Sequence, residues 1–222
     1  ASFSLAKRAL VIGDTLQIEP IWSMPTQVDI GNMISCEVLN DKDVRNQYNR
    51  VSSLGKSAAS GSVMGIAQLA SRYHYDKDLA RGMFLYEHRR CYDEIVGYCN
   101  ELCYHNKLIP MRGERGSKPG LPAMGYLHIS GRCERRGGSR ANELEAKTIA
   151  DWIAGNQSRL EAQYKKPLHE IIGVVTPFGG QVAAISEACA ACGIRVGKGA
   201  TDMTVGTVHS LQGAERWIVI FS

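Results

Sequence analysis

The 222-residue sequence lacks the features of several protein classes. No apolar run approaches the roughly 20 residues that span a bilayer, and the first residues do not show the basic, apolar and small-residue order of a signal peptide. Low-complexity tracts and internal repeats are absent, and a composition with 44% hydrophobic and 22% charged residues excludes a disordered, collagen-like or coiled-coil chain. We therefore expect a soluble globular protein of the cytoplasm with no membrane partner.

Cysteine is also too sparse and too scattered for a disulfide framework. The seven cysteines are odd in number, which indicates reduced thiols. Cys189 and Cys192 have the spacing of redox or zinc sites, but no second pair follows, so we expect buried thiols on a helix. Cys99 and Cys103 are expected to pack in the core. A thiol-redox protein built on Cys189 and Cys192 is the minor alternative.

The net charge of +4 is too small to indicate a polyanionic partner, but its distribution is uneven. Residues 107–140, called the basic segment below, contain eight basic residues and two acidic ones. The basic segment is either a solvated loop or a surface that faces phosphate groups.

Short apolar runs bounded by glycine and polar turns are typical of strands buried in a parallel sheet. Such runs predict strands at residues 9–12, 125–129, 171–175 and 217–221. Helical periodicity predicts helices at residues 92–104, at 141–153 from a cap at Asn142, and at 181–192. This alternation predicts an α/β fold, with helices flanking a parallel sheet.

Four polar motifs lie at the ends of these predicted elements, where α/β proteins bind their ligands. They are Gly13-Asp14-Thr15-Leu16-Gln17, Glu87-His88-Arg89-Arg90-Cys91, Val175-Thr176-Pro177-Phe178 with Gln181, and residues 207–215. Each motif alone is also compatible with an ordinary turn or surface charge.

In this order, the four motifs resemble those of superfamily 1 DNA/RNA helicases, most closely the branch that contains the nonsense-decay and Okazaki-fragment helicases. Residues 13–20 match motif III, residues 85–95 match motif IV, residues 172–181 match an Ile-Thr-Pro-Tyr-x-x-Gln stretch, and residues 205–215 match a Thr-Val-x-x-x-Gln-Gly-x-Glu loop. The resemblance covers almost the whole chain and implies a truncated RecA-like fold of the P-loop NTPase type.

The resemblance also implies roles for individual residues in an ATP cleft between two RecA-like domains. Arg90 would be the arginine finger and Gln17 a sensor of the γ-phosphate, and these are the two expected catalytic residues. The expected nucleotide-binding residues are Asp14, Gln17, Arg90, Gly213 and Glu215. The residues expected to contact single-stranded DNA or RNA are Thr176, Pro177, Thr207 and Ser210.

The sequence departs from the family pattern in two residues of motif IV. Arg89 stands where relatives often have an aromatic residue that stacks on adenine, which weakens the inference of adenine binding. Asp93 stands where relatives usually have proline, a change that we expect to alter only the start of the helix.

The phosphate-cradling loop is missing from the sequence. Gly55-Lys56-Ser57 is its nearest match, but Arg50 replaces the required first glycine, so we predict that it is not such a loop. The acids that bind Mg²⁺ would precede Ala1, and the last arginine motif would follow Ser222. We therefore expect a fragment without a metal site, which binds ATP and Mg²⁺ tightly only with other regions of the parent chain and is inactive alone.

Residues 1–78 are expected to be the carboxyl-terminal remnant of the first RecA-like domain. Residues 79–222 would be the second RecA-like helicase domain without its last motif. The alternative is a non-catalytic nucleic-acid-binding or scaffolding module with a RecA-like shape, which the basic segment favours.

Overall fold

The computed structural model describes residues 7–116, 120–211 and 215–222. The chain divides into two compact units, one up to Gly125 and one from Tyr126 to Ser222. This division lies further along the chain than the predicted boundary between residues 78 and 79, and that functional boundary stays a prediction. Each unit is described by itself below.

The first unit is mainly helical. Its elements are α1 (Thr26–Ser35), α2 (Val44–Ser53), α3 (Val63–Ala70), β1 (Glu87–His88), α4 (Asp93–Cys103) and β2 (Ile109–Pro110), with β1 and β2 parallel. Helix α4 confirms the helix predicted at residues 92–104, and acids at its first two positions stabilise its positive end. Asn100 ties α4 to the next loop, because its side chain donates to the Leu108 carbonyl and accepts from the Leu108 amide.

A buried carboxylate connects α1 to α2 and to the loop after α2. Asp29 is 3% exposed and accepts hydrogen bonds from the Tyr48 hydroxyl (3.0 Å), the Ser57 hydroxyl (2.9 Å) and the Ala59 amide (3.2 Å). Burial raises the pKa of Asp29, but these hydrogen bonds together outweigh burial, so the pKa lies below its ordinary value. The Ser57 hydroxyl is therefore engaged in a hydrogen bond that stabilises the fold. Residues 55–57 also follow a helix, whereas a phosphate loop follows a strand.

Asp29→Ala is expected to lower the free energy of unfolding of the first unit by about 3 kcal/mol, since three donors lose their buried acceptor. The folded pKa of Asp29 is below the unfolded pKa, so its contribution is complete above the unfolded pKa and is lost as pH falls through the folded pKa. Urea titrations at pH 7 and in the acid range measure both effects. Asp41→Ala, at an exposed site, is the control, and an equal loss in both variants would contradict the role of Asp29.

The second unit contains a parallel sheet and a hairpin. Its strands are β3 (Glu134–Arg136), β4 (Ser139–Ala141), β5 (Ile172–Val175), β6 (Thr204–Gly206) and β7 (Ile218–Phe221). Its helices are α5 (Glu143–Tyr164), α6 (Leu168–Ile171) and α7 (Gly179–Ala191). The parallel sheet has the order β6-β5-β7, and β3 and β4 pair antiparallel. This architecture is α/β, consistent with the truncated RecA-like fold that the resemblance implies.

The core of the second unit lies between the sheet and two helices. Every residue of the central strand β5 is buried, together with Ile149, Ile153 and Leu160 of α5 and Ile185 of α7. The predicted strands at residues 171–175 and 217–221 and the predicted helices at 141–153 and 181–192 are confirmed. Helix α5 begins at the predicted cap, where the Asn142 side chain accepts from the Glu145 amide.

Two predicted strands, at residues 9–12 and 125–129, are wrong. Leu10 and Tyr126 are each 87% exposed, and both segments lie outside the strands of the described residues. An extended segment needs a neighbouring strand to satisfy its backbone groups, and no strand in the described ranges pairs with either run. The expectation of a fully buried last strand is also wrong, because β7 is an edge strand whose Val219 and Phe221 are exposed.

The thiols only partly follow expectation. Cys189 is buried, which raises its pKa to about 11, whereas Cys192 is exposed at the end of α7, so the expectation of two buried thiols is wrong for Cys192. Cys99 is exposed as well, which contradicts its expected core packing. Over the described ranges, no three His, Cys, Asp or Glu side chains are grouped to hold a metal ion, and no helix is long and apolar enough to cross a membrane.

Candidate functional site

The loop of motif III is organised by the carboxylate of Asp14. One Asp14 oxygen accepts from the Leu16 amide (2.9 Å), and the other accepts from the Gln17 side-chain amide (3.2 Å). Aspartate commonly stabilises a turn in this way. The structure therefore brings two of the three predicted nucleotide-binding residues of the first unit, Asp14 and Gln17, into direct contact, and Gln17 is exposed.

A residue that the motifs did not indicate holds this loop. The hydroxyl of Tyr104, at the end of α4, donates to Asp14 at 2.5 Å. Burial raises the pKa of Tyr104 well above its usual value, and the Asp14 carboxylate raises it further. Tyr104 therefore ties the motif III loop to the helix that follows motif IV.

Tyr104→Phe is expected to destabilise the first unit by about 1 kcal/mol, the usual net value of one hydrogen bond, and to loosen the loop that presents Gln17. Urea unfolding and hydrogen exchange of the residue 14–17 amides measure these effects. Tyr98→Phe removes the hydroxyl of an exposed tyrosine on the same helix and is the control. Identical exchange in the two variants would show that Tyr104 does not order the loop.

Motif IV places two arginines between β1 and α4. Both side chains are exposed, and Arg89 forms an ion pair with Glu87 at 2.6 Å. The Arg90 carbonyl accepts a hydrogen bond from the Arg112 guanidinium, which also lies 4.6 Å from the centre of the Tyr92 ring. These contacts hold the backbone at Arg90, the predicted arginine finger.

Asp93, which replaces the usual proline, connects the start of α4 to the segment after β2. Its carboxylate accepts from the Gly113 amide (3.0 Å), and its own amide donates to the Gly113 carbonyl (3.2 Å). Proline could form neither bond, because it has no amide hydrogen and no carboxylate. The substitution therefore also anchors a loop.

The residues predicted to contact nucleic acid meet at one edge of the parallel sheet. Thr176 and Pro177 follow β5, Thr207 and Ser210 follow β6, and the Thr176 amide donates to the Gly206 carbonyl at 3.1 Å. Pro177 and Ser210 are exposed, whereas Thr176 is fully buried and its hydroxyl accepts from the Phe178 amide (3.4 Å). The two loops are therefore adjacent, and the predicted contacts of all four residues stay predictions.

Gln181, the glutamine of the third motif, is buried and forms hydrogen bonds that hold the fold together. Gln181 is 3% exposed, and its side chain accepts from the Asn142 amide (2.7 Å) and donates to the Ser222 hydroxyl (3.1 Å). The Ser222 hydroxyl in turn donates to Glu145 at 2.6 Å. Gln181 therefore connects the starts of α5 and α7 to the end of β7.

A family model described as an AAA domain matches residues 64–222, which is most of the chain. This chain belongs to that AAA domain family. Such AAA domains are found in superfamily 1 helicases. The matched residues include motif IV and the loops that follow β5 and β6, but not motif III. No curated protein matches the chain. Membership places the chain in a helicase-like NTPase family, while the branch named above stays a prediction.

Two further predicted nucleotide contacts of this AAA domain lie before β7. Glu215 is exposed, and Gly213 lies outside the described residues. The roles assigned to both residues stay predictions.

The basic segment of the AAA domain is not one uniform charged surface. Lys107 forms an ion pair with Asp76 (2.7 Å), and Arg136 forms ion pairs with Glu143 (2.8 Å) and Glu187 (2.5 Å). In the ranges that the structure describes, four exposed arginines of the segment form no ion pair. Arg112 contacts the Arg90 carbonyl and the Tyr92 ring, and the other three are Arg132, Arg135 and Arg140. Lys118 lies outside the described residues.

Proposed function

We propose that this chain is part of an ATP-dependent DNA/RNA helicase, in which ATP hydrolysis drives translocation along single-stranded nucleic acid. The observation that carries the proposal is the adjacency of the residue 176–177 and 207–210 loops at the carboxyl edge of the sheet in an AAA domain. Polar groups on such loops suit contact with a nucleic-acid backbone, which positions a strand without reading its sequence.

In this proposal, the nucleotide contacts are made by the motif III loop, motif IV and the loop before β7. Gln17, presented by the Asp14 turn, senses the γ-phosphate, and Arg90 supplies positive charge to that phosphate as the bond to the leaving group breaks. Gly213 and Glu215 approach the nucleotide from the second RecA-like domain. Loss of the γ-phosphate removes its contacts, which allows the cleft to open and the strand to advance.

Other regions of the parent chain are proposed to supply the phosphate loop, the Mg²⁺-binding acids and the last arginine motif. Among the described residues, no three metal-ligating side chains are grouped to hold Mg²⁺, and the sequence contains no phosphate-cradling loop. The 222-residue chain alone is therefore expected to be catalytically inactive.

The test is ATP hydrolysis by the complete parent and by this chain alone, each with and without single-stranded DNA or RNA. Single-stranded nucleic acid should increase turnover by the parent severalfold, and the chain alone should not turn over ATP. A parent that binds the strand tightly but does not hydrolyse ATP would contradict the helicase.

That second outcome would instead favour a non-catalytic nucleic-acid-binding or scaffolding module with a RecA-like shape. The observation behind this alternative is the pair of exposed arginines at positions 135 and 140, which requires no nucleotide to attract a polyanion.

A further inference from the structure

The hairpin of β3 and β4 places two arginines side by side. Its turn consists of Gly137 and Gly138, both with positive φ (53° and 78°), as a two-residue hairpin of this type requires. The resulting register pairs Arg135 directly with Arg140. Directly opposed residues in an antiparallel pair project from the same face, and like charges in that position repel each other.

The acidic residues that contact the hairpin form ion pairs on the face opposite to Arg135 and Arg140. Side chains alternate along a strand, so Arg136 projects away from Arg135, and it binds Glu143 of α5 and Glu187 of α7. The structure shows no acidic partner for Arg135 or Arg140 among the described residues. The repulsion between these two arginines is therefore uncompensated and would be relieved by a bound anion.

A pocket of about 450 Å³ adjoins this arginine pair. Its walls are Arg135, Gly138, Ser139, Arg140 and Phe178, and a volume of this size is within the usual range for ligand sites. Phe178 is 44% exposed, although aromatic rings usually contribute to stability by burial. The pocket therefore combines two cations with one available aromatic face.

The positive end of α7 lies beside the pocket. Phe178 occupies the cap position of this 13-residue helix, and no side chain caps it. Gly180 packs directly on the hairpin, since a Cβ there would lie 2.7 Å from the Arg140 carbonyl. The helix end is therefore held against β4, where its dipole adds to the attraction for an anion.

We propose that this pocket binds single-stranded nucleic acid, with a backbone phosphate held by Arg135 and Arg140 and a neighbouring base stacked on Phe178. Guanidinium groups bind phosphate in a planar, bidentate manner, and base stacking on aromatic rings is a common mode of single-strand binding. An isolated phosphate would leave Phe178 without a partner, and a duplex keeps its bases stacked. The proposal rests on the proposed function, because it extends the strand path from Pro177 to the next residue.

The test is the affinity of the 222-residue chain for fluorescein-labelled single-stranded oligothymidylate and oligouridylate, followed by anisotropy over a series of salt concentrations. Arg135→Ala/Arg140→Ala should weaken binding at low salt and reduce the slope of log K against log salt by about 1 for each phosphate contact that is lost. Phe178→Ala should weaken binding by about fivefold or more without changing that slope, and Phe178→Trp should restore it.

Arg132→Ala is the matched control, because Arg132 is an exposed arginine of the same segment that forms no ion pair with the described residues and does not line the pocket. Circular dichroism melts establish that each variant is folded. An Arg132→Ala loss equal to that of the double variant would overturn the proposal. The proposal would also be overturned if the wild-type chain bound neither oligonucleotide. It would be overturned as well if inorganic phosphate displaced the labelled oligonucleotide as effectively as an unlabelled oligonucleotide at the same total phosphate concentration.

The two proposals fail separately. Unchanged affinity and slope in the double variant, together with strand-stimulated ATP hydrolysis by the parent, would overturn the pocket and retain the helicase. Pocket-dependent strand binding by a parent that does not hydrolyse ATP would overturn the helicase and retain the pocket.

Discussion

Arg90→Ala in the complete parent is expected to lower strand-stimulated ATP hydrolysis by about 10³-fold or more, because an arginine finger neutralises charge on the γ-phosphate in the transition state. The affinity for single-stranded nucleic acid should not change, since Arg90 is not among the residues proposed to contact the strand. Arg90 is exposed between β1 and α4, with its carbonyl bonded to Arg112. Steady-state kinetics and anisotropy measure the two properties.

Arg89→Ala is the matched control for this prediction. Arg89 is the adjacent exposed arginine, and its guanidinium already contacts Glu87, so its loss should leave kcat nearly unchanged and raise the KM for ATP at most. Arg90→Lys keeps the charge but loses the planar group, and should retain only part of the activity. Unchanged kcat in Arg90→Ala would contradict the assignment, as would an equal loss in Arg89→Ala.

The elements that could be predicted from the sequence are those whose local pattern agrees with their tertiary environment. Residues 172–175 form a strand because β6 and β7 lie on either side of them, and α5 begins where Asn142 supplies a local cap. Residues 9–12 and 125–129 show similar apolar patterns but are not strands in the structure. Strand pairing joins residues distant in sequence, so a short apolar run cannot show whether a partner exists.

The sequence also contains a local signal for the hairpin. The Gly137-Gly138 pair between two short polar runs is typical of a two-residue hairpin, and the structure contains that hairpin within the basic segment. The number of charges in a segment, by contrast, does not show which of them form ion pairs. Lys107 is neutralised by Asp76 and Arg136 by Glu187, contacts that the order of residues does not reveal.

The candidate site was predictable only where the topology places it. The loops after β5 and β6 are adjacent because both strands are parallel, and the motifs already placed Thr176 and Thr207 at strand ends. The contacts of Tyr104 with Asp14 and of Gln181 with Ser222 join residues that are distant in sequence. They arise from tertiary packing, for which the motifs carry no signal.

Gln181→Ala is expected to lower the free energy of unfolding of the second unit by about 3 kcal/mol, because the part-buried Asn142 amide loses its acceptor and a cavity forms at the buried Gln181 side chain. For a unit of this size, such a loss lowers Tm by more than about 10 °C. Thermal unfolding followed by circular dichroism measures the change. Strand affinity should fall as well, since Gln181 holds the start of α7 beside the residue 176–178 loop.

Gln157→Ala is the control, because Gln157 is a partly exposed glutamine of α5 whose side chain hydrogen-bonds only to Glu161 (3.3 Å) among the described residues. The Tm of this variant should hardly change. Gln181→Glu keeps the shape of the side chain but replaces the amide donor with a carboxylate next to the Ser222 hydroxyl and Glu145. Burial and Glu145 should raise the folded pKa of this new carboxyl above its unfolded value. The variant should therefore be most stable below the unfolded pKa and lose stability as pH rises through the folded pKa. An equal Tm for Gln181→Ala and Gln157→Ala would contradict the structural role of Gln181. If the stability of Gln181→Glu did not depend on pH, the amide donor of Gln181 would not be important for the fold.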